Sequence, residues 1–327
     1  MKKTIKIKFT GFPPYHDPHR QAYYRFLCDR YDVCESDEPD YILDGGQTFH
    51  HMKYDGVKIL ISSENDVPDF NAYDYAVGCQ NMQFGDRYIR FPWFAAYAYF
   101  QDIRKRKTSF DESLLKRKFC SFVVSNAEFG DPLRKKFFER LSKYKRVDSG
   151  GRYMNNVGGP VADKLAFCRD YKFNIAFENS SSPGYTTEKI MEAYVAQTVP
   201  IYYGNPDVAV DFRPESMVHV QGEADIERAT EEIIRLDHDD DAYMKMVTAP
   251  CLTESDPSVY ESRLNGFLSS IFDRPLAAAR RRCRYGHQAM MARHLKWVCG
   301  LDQRMRDSSL YVMAVNAALK ARGLLMR

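Results

Sequence analysis

The sequence predicts an α/β protein of two Rossmann-like domains that face each other across a cleft, followed by a helical C-terminal tail. Three observations carry this expectation. At 327 residues the chain exceeds the usual reach of one hydrophobic core. Short apolar runs bounded by Asp, Gly, Asn or Pro recur along it, and in the second half they alternate with helical segments at the spacing of a parallel sheet with crossover helices. From about Asp225 the apolar pattern becomes helical throughout.

Taken in order, Ile5, Ile7 and Phe9 alternate with Lys6 and Lys8 as in a strand, and the turn Gly11-Phe12-Pro13-Pro14 carries a loop. Tyr23, Tyr24, Phe26 and Leu27 suggest a helix. Tyr41 to Leu43, Val57 to Ile61 and Tyr75 to Val77 read as buried strands. The charged stretch from Arg104 to Lys118 lacks apolar periodicity and separates an N-terminal domain, 1–115, from a C-terminal domain, 116–272. The second domain is expected to run through strand Phe119 to Val124, helix Pro132 to Lys143, a Gly-rich loop at Ser149-Gly150-Gly151 and a helix near Val161 to Arg169. Strand Phe173 to Phe177, helix Thr187 to Gln197 and strand Val199 to Tyr203 complete it. Residues 273–327 form a basic helical tail.

Apolar residues at 44% and aromatics at 14% suit a globular enzyme and exclude general disorder. A formal charge of +3 excludes a nucleic-acid binder covered in phosphate contacts. The eight cysteines include no Cys-x-x-Cys pair, which fits a reduced, cytoplasmic protein. Met1 to Lys8 alternates charge with apolar residues and has no signal-peptide core, so the chain is expected to begin inside its first domain with no anchor ahead of it.

The stretch Phe173 to Ile190 runs from an apolar strand through the polar loop Glu178-Asn179-Ser180-Ser181-Ser182-Pro183-Gly184 into a helix start at Thr186-Thr187-Glu188-Lys189. Such a loop places polar groups at a strand's carboxyl end and leaves helix N–H groups open toward an anion, as a nucleotide diphosphate requires. Lys189 would neutralise phosphates and Glu188 would accept hydrogen bonds from hydroxyls. The same letters also describe an ordinary helix capped by Thr186 or Thr187, with Glu188 and Lys189 on a wet face.

Phe177-Glu178-Asn179-Ser180 with Gly184-Tyr185-Thr186-Thr187-Glu188-Lys189-Ile190, followed by Val199-Pro200-Ile201-Tyr202-Tyr203-Gly204, resembles the hallmark of the α-1,3/4-fucosyltransferases, glycosyltransferase family 10. Ser121 to Asn126 with Arg134, and Glu64-Asn65 with Phe70, Asp74-Tyr75-Ala76 and Gly85-Asp86-Arg87-Tyr88, extend the likeness to the family's bacterial branch over about residues 55 to 220. The resemblance implies a GT-B fold with GDP-fucose between an acceptor domain and a donor domain. It assigns the catalytic base to Glu64, diphosphate contacts to Arg134 and Lys189, a ribose or sugar contact to Glu188, and further donor contacts to Tyr185 and Asn179. It gives no role to the loop serines, and the first 55 residues, where acceptor specificity could reside, show little that matches.

Because GDP-fucose is β-linked and the family's products are α, the resemblance implies a single inverting displacement. That step needs a base at the acceptor hydroxyl and cationic help for the leaving diphosphate. Transfer to O3 of N-acetylglucosamine in a lactosamine-type glycan is the leading reading. Another linkage, another nucleotide sugar, or a glycan-binding protein without catalysis are the alternatives. No cofactor is expected. The letters Asp237-His238-Asp239-Asp240-Asp241 mimic a metal motif but follow a helical run, so no metal is expected either. His16, His19, His50 and His51 are read as incidental. Arg274, Arg280, Arg281, Arg282, Arg284, Arg293, Lys296, Arg304 and Arg306 face one acid, Asp302. The tail can be read as a solvated helix packing across the domains, as a membrane-surface helix or as a nucleic-acid patch; with Met290, Met291, Leu295, Trp297 and Val298 nearby, it best suits an anionic membrane surface and a peripheral place on the inner face of the cytoplasmic membrane. The heptad repeats common in the bacterial branch are missing, so the resemblance supplies no repeat-mediated dimer.

Overall fold

The structure is a computed structural model that describes residues 2–125, 130–254, 256, 258–283 and 285–306. Asn126, Arg284 and the chain beyond 306 lie outside the described residues. Two wholly parallel sheets form the frame. The first comprises β1 (Thr4–Thr10), β2 (Asp32–Glu35), β3 (Tyr41–Asp44), β4 (Val57–Ile61), β5 (Tyr75–Gly78) and β6 (Tyr88–Arg90), in the order β2-β1-β3-β4-β5-β6. The second comprises β7 (Lys118–Phe122), β8 (Val147–Ser149), β9 (Tyr171–Phe177), β10 (Val199–Tyr203) and β11 (Val218–His219), in the order β11-β10-β9-β7-β8. Every residue of β4 and of β9 is buried. Both faces of each sheet are therefore covered, which explains the unbroken apolar runs.

The helices are α1 (Ala22–Arg30), α2 (Leu133–Ser142), α3 (Lys164–Cys168), α4 (Glu188–Val195), α5 (Ile226–His238), α6 (Asp240–Thr248), α7 (Ser258–Phe272), α8 (Leu276–Ala279) and α9 (Gly286–Arg306). The second core packs α2, α5 and α6 on β7, β9 and β10 through Phe137, Ile233, Tyr243, Phe173 and Ile201. At the acidic junction Asp239 caps α6 by accepting from Ala242 N at 2.9 Å, and Asp237 pairs with Lys145 at 3.0 Å. Those acids have structural partners. Short strands β2, β6, β8 and β11, each of four residues or fewer, carry too few positions for an alternating pattern to register.

Helix α7 departs from the 116–272 grouping. Its Leu264, Leu268, Ile271 and Phe272 join the first core, where Phe272 meets Tyr41 at 4.6 Å between ring centroids, and Lys3 Nζ donates to the Phe272 carbonyl at 2.6 Å. That core also holds Ile190, Tyr194, Tyr202 and Phe212 of the second domain, so α7 packs where the two domains meet.

The basic segment after α7 is likewise drawn onto the first domain. The fully buried Asp74 carboxylate accepts the N–H groups of Arg281 and Arg282 at 2.7 and 2.8 Å and the Arg282 Nε at 2.8 Å. Arg274 and Arg281 both reach Asp86 at 2.7 Å, and Arg280 donates to the Asp55 carbonyl at 2.6 Å. These arginines therefore face protein acids and carbonyls instead of a membrane surface. Helix α9 leaves Met290, Met291, Leu295, Trp297 and Val298 exposed. Among the described residues no helix is long and apolar enough to cross a membrane.

Candidate active site

The carboxyl ends of both sheets face the same cleft, where ligands bind in open α/β sheets. On the second sheet, β9 delivers Glu178 into a fully buried position. Its carboxylate accepts Thr187 N and Thr187 Oγ at 2.7 Å each and lies 3.0 Å from Lys189 Nζ. Gly204 makes room for it: an added Cβ there would sit 2.4 Å from the Glu178 Cγ. Lys189 also touches Glu188 Oε1 at 3.0 Å and Thr187 Oγ at 2.9 Å. Burial works to lower the Lys189 pKa, but the Glu178 and Glu188 carboxylates hold it above the ordinary lysine value. Burial pushes Glu178 up, whereas Lys189 and Lys164 overcome burial to pull Glu188 down.

One expectation is corrected here. The first N–H at the helix start is not open to a ligand anion, because Glu178 is already the resident anion at Thr187. Thr187 does occupy the capping position, but its hydroxyl donates to Glu178 instead of capping the helix.

Arg134 projects from the first turn of α2 and is 3% exposed. Its Nη2 donates to the Phe177 carbonyl at 2.7 Å and to Asn179 Oδ1 at 2.8 Å, while its Nε is buried with no hydrogen-bond partner among the described residues. Burial lowers its pKa, yet a guanidinium stays charged. It lines a cavity of about 430 Å³ with Gly130, Asp131, Pro132 and Tyr153, whose outer side is formed by Lys135, Lys136 and Glu139. A buried cation with an unsatisfied donor beside an open cavity suits phosphate oxygens. Asn179 holds Arg134 in this geometry. Lys136 borders the same cavity but is exposed and already paired with Glu223 at 2.6 Å. Tyr185 is 2% exposed, and its pKa is raised by burial and then by the Glu178 carboxylate.

Glu64 comes from the other domain, three residues past β4. It is half-buried, its N–H bonds Ser62 Oγ at 3.3 Å, and the Ser62 carbonyl accepts Trp93 Nε1. Burial raises its pKa, the Asp66, Glu188 and Glu178 carboxylates raise it further, and Lys189 draws it down. The last three groups belong to the donor loop, so Glu64 and that cluster act on each other electrostatically across the cleft. Tyr97 bridges the same gap, its hydroxyl 3.5 Å from Glu188 Oε2.

Beside Glu64 opens a second cavity of about 370 Å³ lined by Phe12, Tyr15, His16, Gln47, Trp93 and Tyr97, among others. His16 stacks on Phe12 at 5.0 Å, so this histidine lines the cleft although its sequence context gave it no role. His19 pairs with Glu35 at 2.6 Å, and His51 is buried against Asp44 at 3.3 Å. The sequence also assigned nothing to Arg90 and Asp211, which form a doubled ion pair at 2.5 and 2.9 Å between the domains. Residues 121 positions apart leave no local signal of such a pair. Glu178, by contrast, lay inside the recognisable block.

Comparisons with known proteins agree with this architecture. Residues 7–97 match the family model of the alpha-(1,3)-fucosyltransferase FucT N-terminal domain, and residues 114–248 match the C-terminal model of glycosyltransferase family 10 (fucosyltransferase). The alpha-(1,3)-fucosyltransferase FucT of Helicobacter pylori is 32% identical over 276 residues, covering 72% of this chain and 57% of that protein. A putative fucosyltransferase of Acanthamoeba polyphaga mimivirus is 25% identical over 221 residues, covering 63% of this chain and 35% of that protein. The chain thus spans little more than half the length of the first relative and about a third of the second. A crystal structure of alpha1,3-fucosyltransferase with GDP-fucose superimposes with a TM-score of 0.71 at 27% identity, covering 84% of this chain and 92% of that one. The two facing sheets are a GT-B fold.

Proposed function

The chain belongs to glycosyltransferase family 10, the fucosyltransferases, and on that premise we propose that it transfers L-fucose from GDP-β-L-fucose to O3 of N-acetylglucosamine in a lactosamine-type glycan. The observation that carries this reading is geometric: the half-buried Glu64 follows β4, its neighbour Asn65 reaches Ser180 of the donor loop at 2.7 Å, and that loop leads into the cluster of Glu178, Glu188 and Lys189. In the proposed step the acceptor oxygen forms a bond to the anomeric carbon of fucose as the bond to the β-phosphate of GDP breaks. The hydroxyl proton passes to Glu64, and the bonding electrons leave with GDP. Attack opposite the leaving group converts the β linkage to α in one displacement.

On the donor side, Arg134 offers its guanidinium to the diphosphate, while Lys189, steadied by Glu178, counters the charge that grows on the leaving oxygen. Glu188 accepts from a ribose or sugar hydroxyl, and Tyr185 and Asn179 shape the donor pocket. The aromatic cavity beside Glu64 suits an acceptor sugar, whose apolar face packs on rings. No cofactor or metal enters the step, so turnover is expected to persist in excess EDTA. Peripheral membrane association through the exposed apolar face of α9 accompanies this reading.

The base assignment is tested by Glu64→Gln. General-base loss typically costs about 10²–10⁴-fold in rate, so kcat is expected to fall by that order with GDP affinity preserved. Near-normal turnover in a folded variant would remove Glu64 from the mechanism.

A further inference from the structure

The loop serines that the sequence leaves without a role are held by the first domain. Asn65, the residue after Glu64, donates its Nδ2 to Ser180 Oγ at 2.7 Å. Its Oδ1 accepts from Ser182 Oγ at 2.5 Å and from Gln80 Nε2 at 2.6 Å. One amide thus joins the β4 loop, the end of β5 and the donor loop. Two further contacts continue along the same loop. Asn81 N donates to the Pro183 carbonyl at 2.9 Å, and Arg90 Nη2 donates to the Gly184 carbonyl at 2.9 Å.

We propose that Asn65 is a positioning residue that sets the distance between the base Glu64 and the donor. The inference rests on the base reading above. Glu64 is carried by the acceptor domain, whereas the leaving group is held by the residues that follow Ser180 to Gly184. The two halves of the reaction therefore lie on different sheets, and their spacing depends on whatever crosses the cleft. Asn65 crosses it one peptide bond from the base. Ser180 and Ser182 receive it a few residues before Tyr185, Glu188 and Lys189. Because Asn65 Oδ1 takes two hydrogen bonds and Nδ2 gives a third, neither loop can shift without breaking part of the set. A displacement of about 1 Å in such a site is enough to cost on the order of 10²-fold in rate.

This role differs from simply propping up the donor loop. A prop would change donor affinity, whereas a spacer changes the alignment of the base with the acceptor hydroxyl. Asn65→Ala is expected to lower kcat at least about tenfold while leaving the Kd for GDP, measured by calorimetry, within about twofold. Placed in the Glu64→Gln background, the same substitution is expected to add less than about twofold, since there is no base left to align. Ser182→Ala, which removes the Ser182 Oγ contacts to Asn65 Oδ1 and Gln80 Oε1 but leaves the bond between Asn65 and Ser180, should reproduce the pattern at smaller size, and it serves if Asn65→Ala fails to fold. Equal losses in both backgrounds, a loss of GDP affinity matching the loss of rate, or unchanged kcat would each overturn the proposal. Full turnover by Glu64→Gln alone would instead sink the base reading, which separates the two failures.

Discussion

Glu64 and Arg134 make opposite demands on burial. For Glu64, removal from water disfavours the carboxylate and raises its pKa above the ordinary glutamate value. A general base works only when ionised, so activity is present above that raised pKa and lost as the pH falls through it. The acid limb of kcat is therefore expected above the usual glutamate range, and Glu64→Gln should abolish it. A limb at or below pH 4.5 that persisted in the variant would assign it to another group. Arg134 tolerates burial because its charge does not titrate away, and its guanidinium, whose Nε has no partner among the described residues, borders the cavity. Calorimetry should find GDP binding weakened at least about tenfold by Arg134→Ala, the cost of a charge-assisted hydrogen bond. Lys136→Ala should change it little, because Lys136 is exposed and paired with Glu223. The reverse order would contradict the geometry. Arg134 was legible because it follows a recognisable strand. Lys136 differs from it only in the face of α2 on which it falls.

The donor loop shows where local sequence stops being informative. Its strand, its turn residues and its helix start can all be read directly, because apolar runs and Pro-Gly punctuation are local signals. What satisfies the helix start cannot, since Thr187 bonds to Glu178, nine residues back in the chain, and only the folded loop brings them together. Gly184 is similar. It adopts φ +92°, and an added Cβ would lie 2.3 Å from Asn81 N and 2.5 Å from the Cys79 carbonyl. The first domain packs directly on the loop backbone, so the glycine serves the domain contact as well as the turn. Gly184→Ala combines left-handed strain with a backbone clash and should destabilise the protein by about 1–3 kcal/mol, read by chemical denaturation. Activity should fall further than stability, because the loop would withdraw from the Glu64 side. An unchanged midpoint would show that the loop is not clamped as described.

For the molecule as a whole, the two-sheet frame and parallel topology could be foreseen from strand and helix spacing, but the packing of α7 into a core shared with the first domain could not. An amphipathic helix reveals that it has an apolar face without revealing which sheet will receive it. The same holds for the arginines after α7, whose partners Asp74 and Asp86 lie about two hundred residues earlier. With these arginines drawn inward, the proposed membrane contact falls to α9, where exposed Met291, Leu295 and Val298 share one face at i, i+4 and i+7. Truncation after Cys283 should therefore abolish sedimentation with phosphatidylserine vesicles while Arg281→Ala has little effect; unchanged sedimentation of the truncated chain would exclude the tail as the contact. The purified chain should be incubated with GDP-fucose and a panel of free and lipid-linked lactosamines, and the new bond located by NMR. An α-linked fucose on O3 of N-acetylglucosamine, formed in step with GDP release, is the predicted result. Failure to use GDP-fucose with any acceptor, alongside turnover of another nucleotide sugar, would contradict the account.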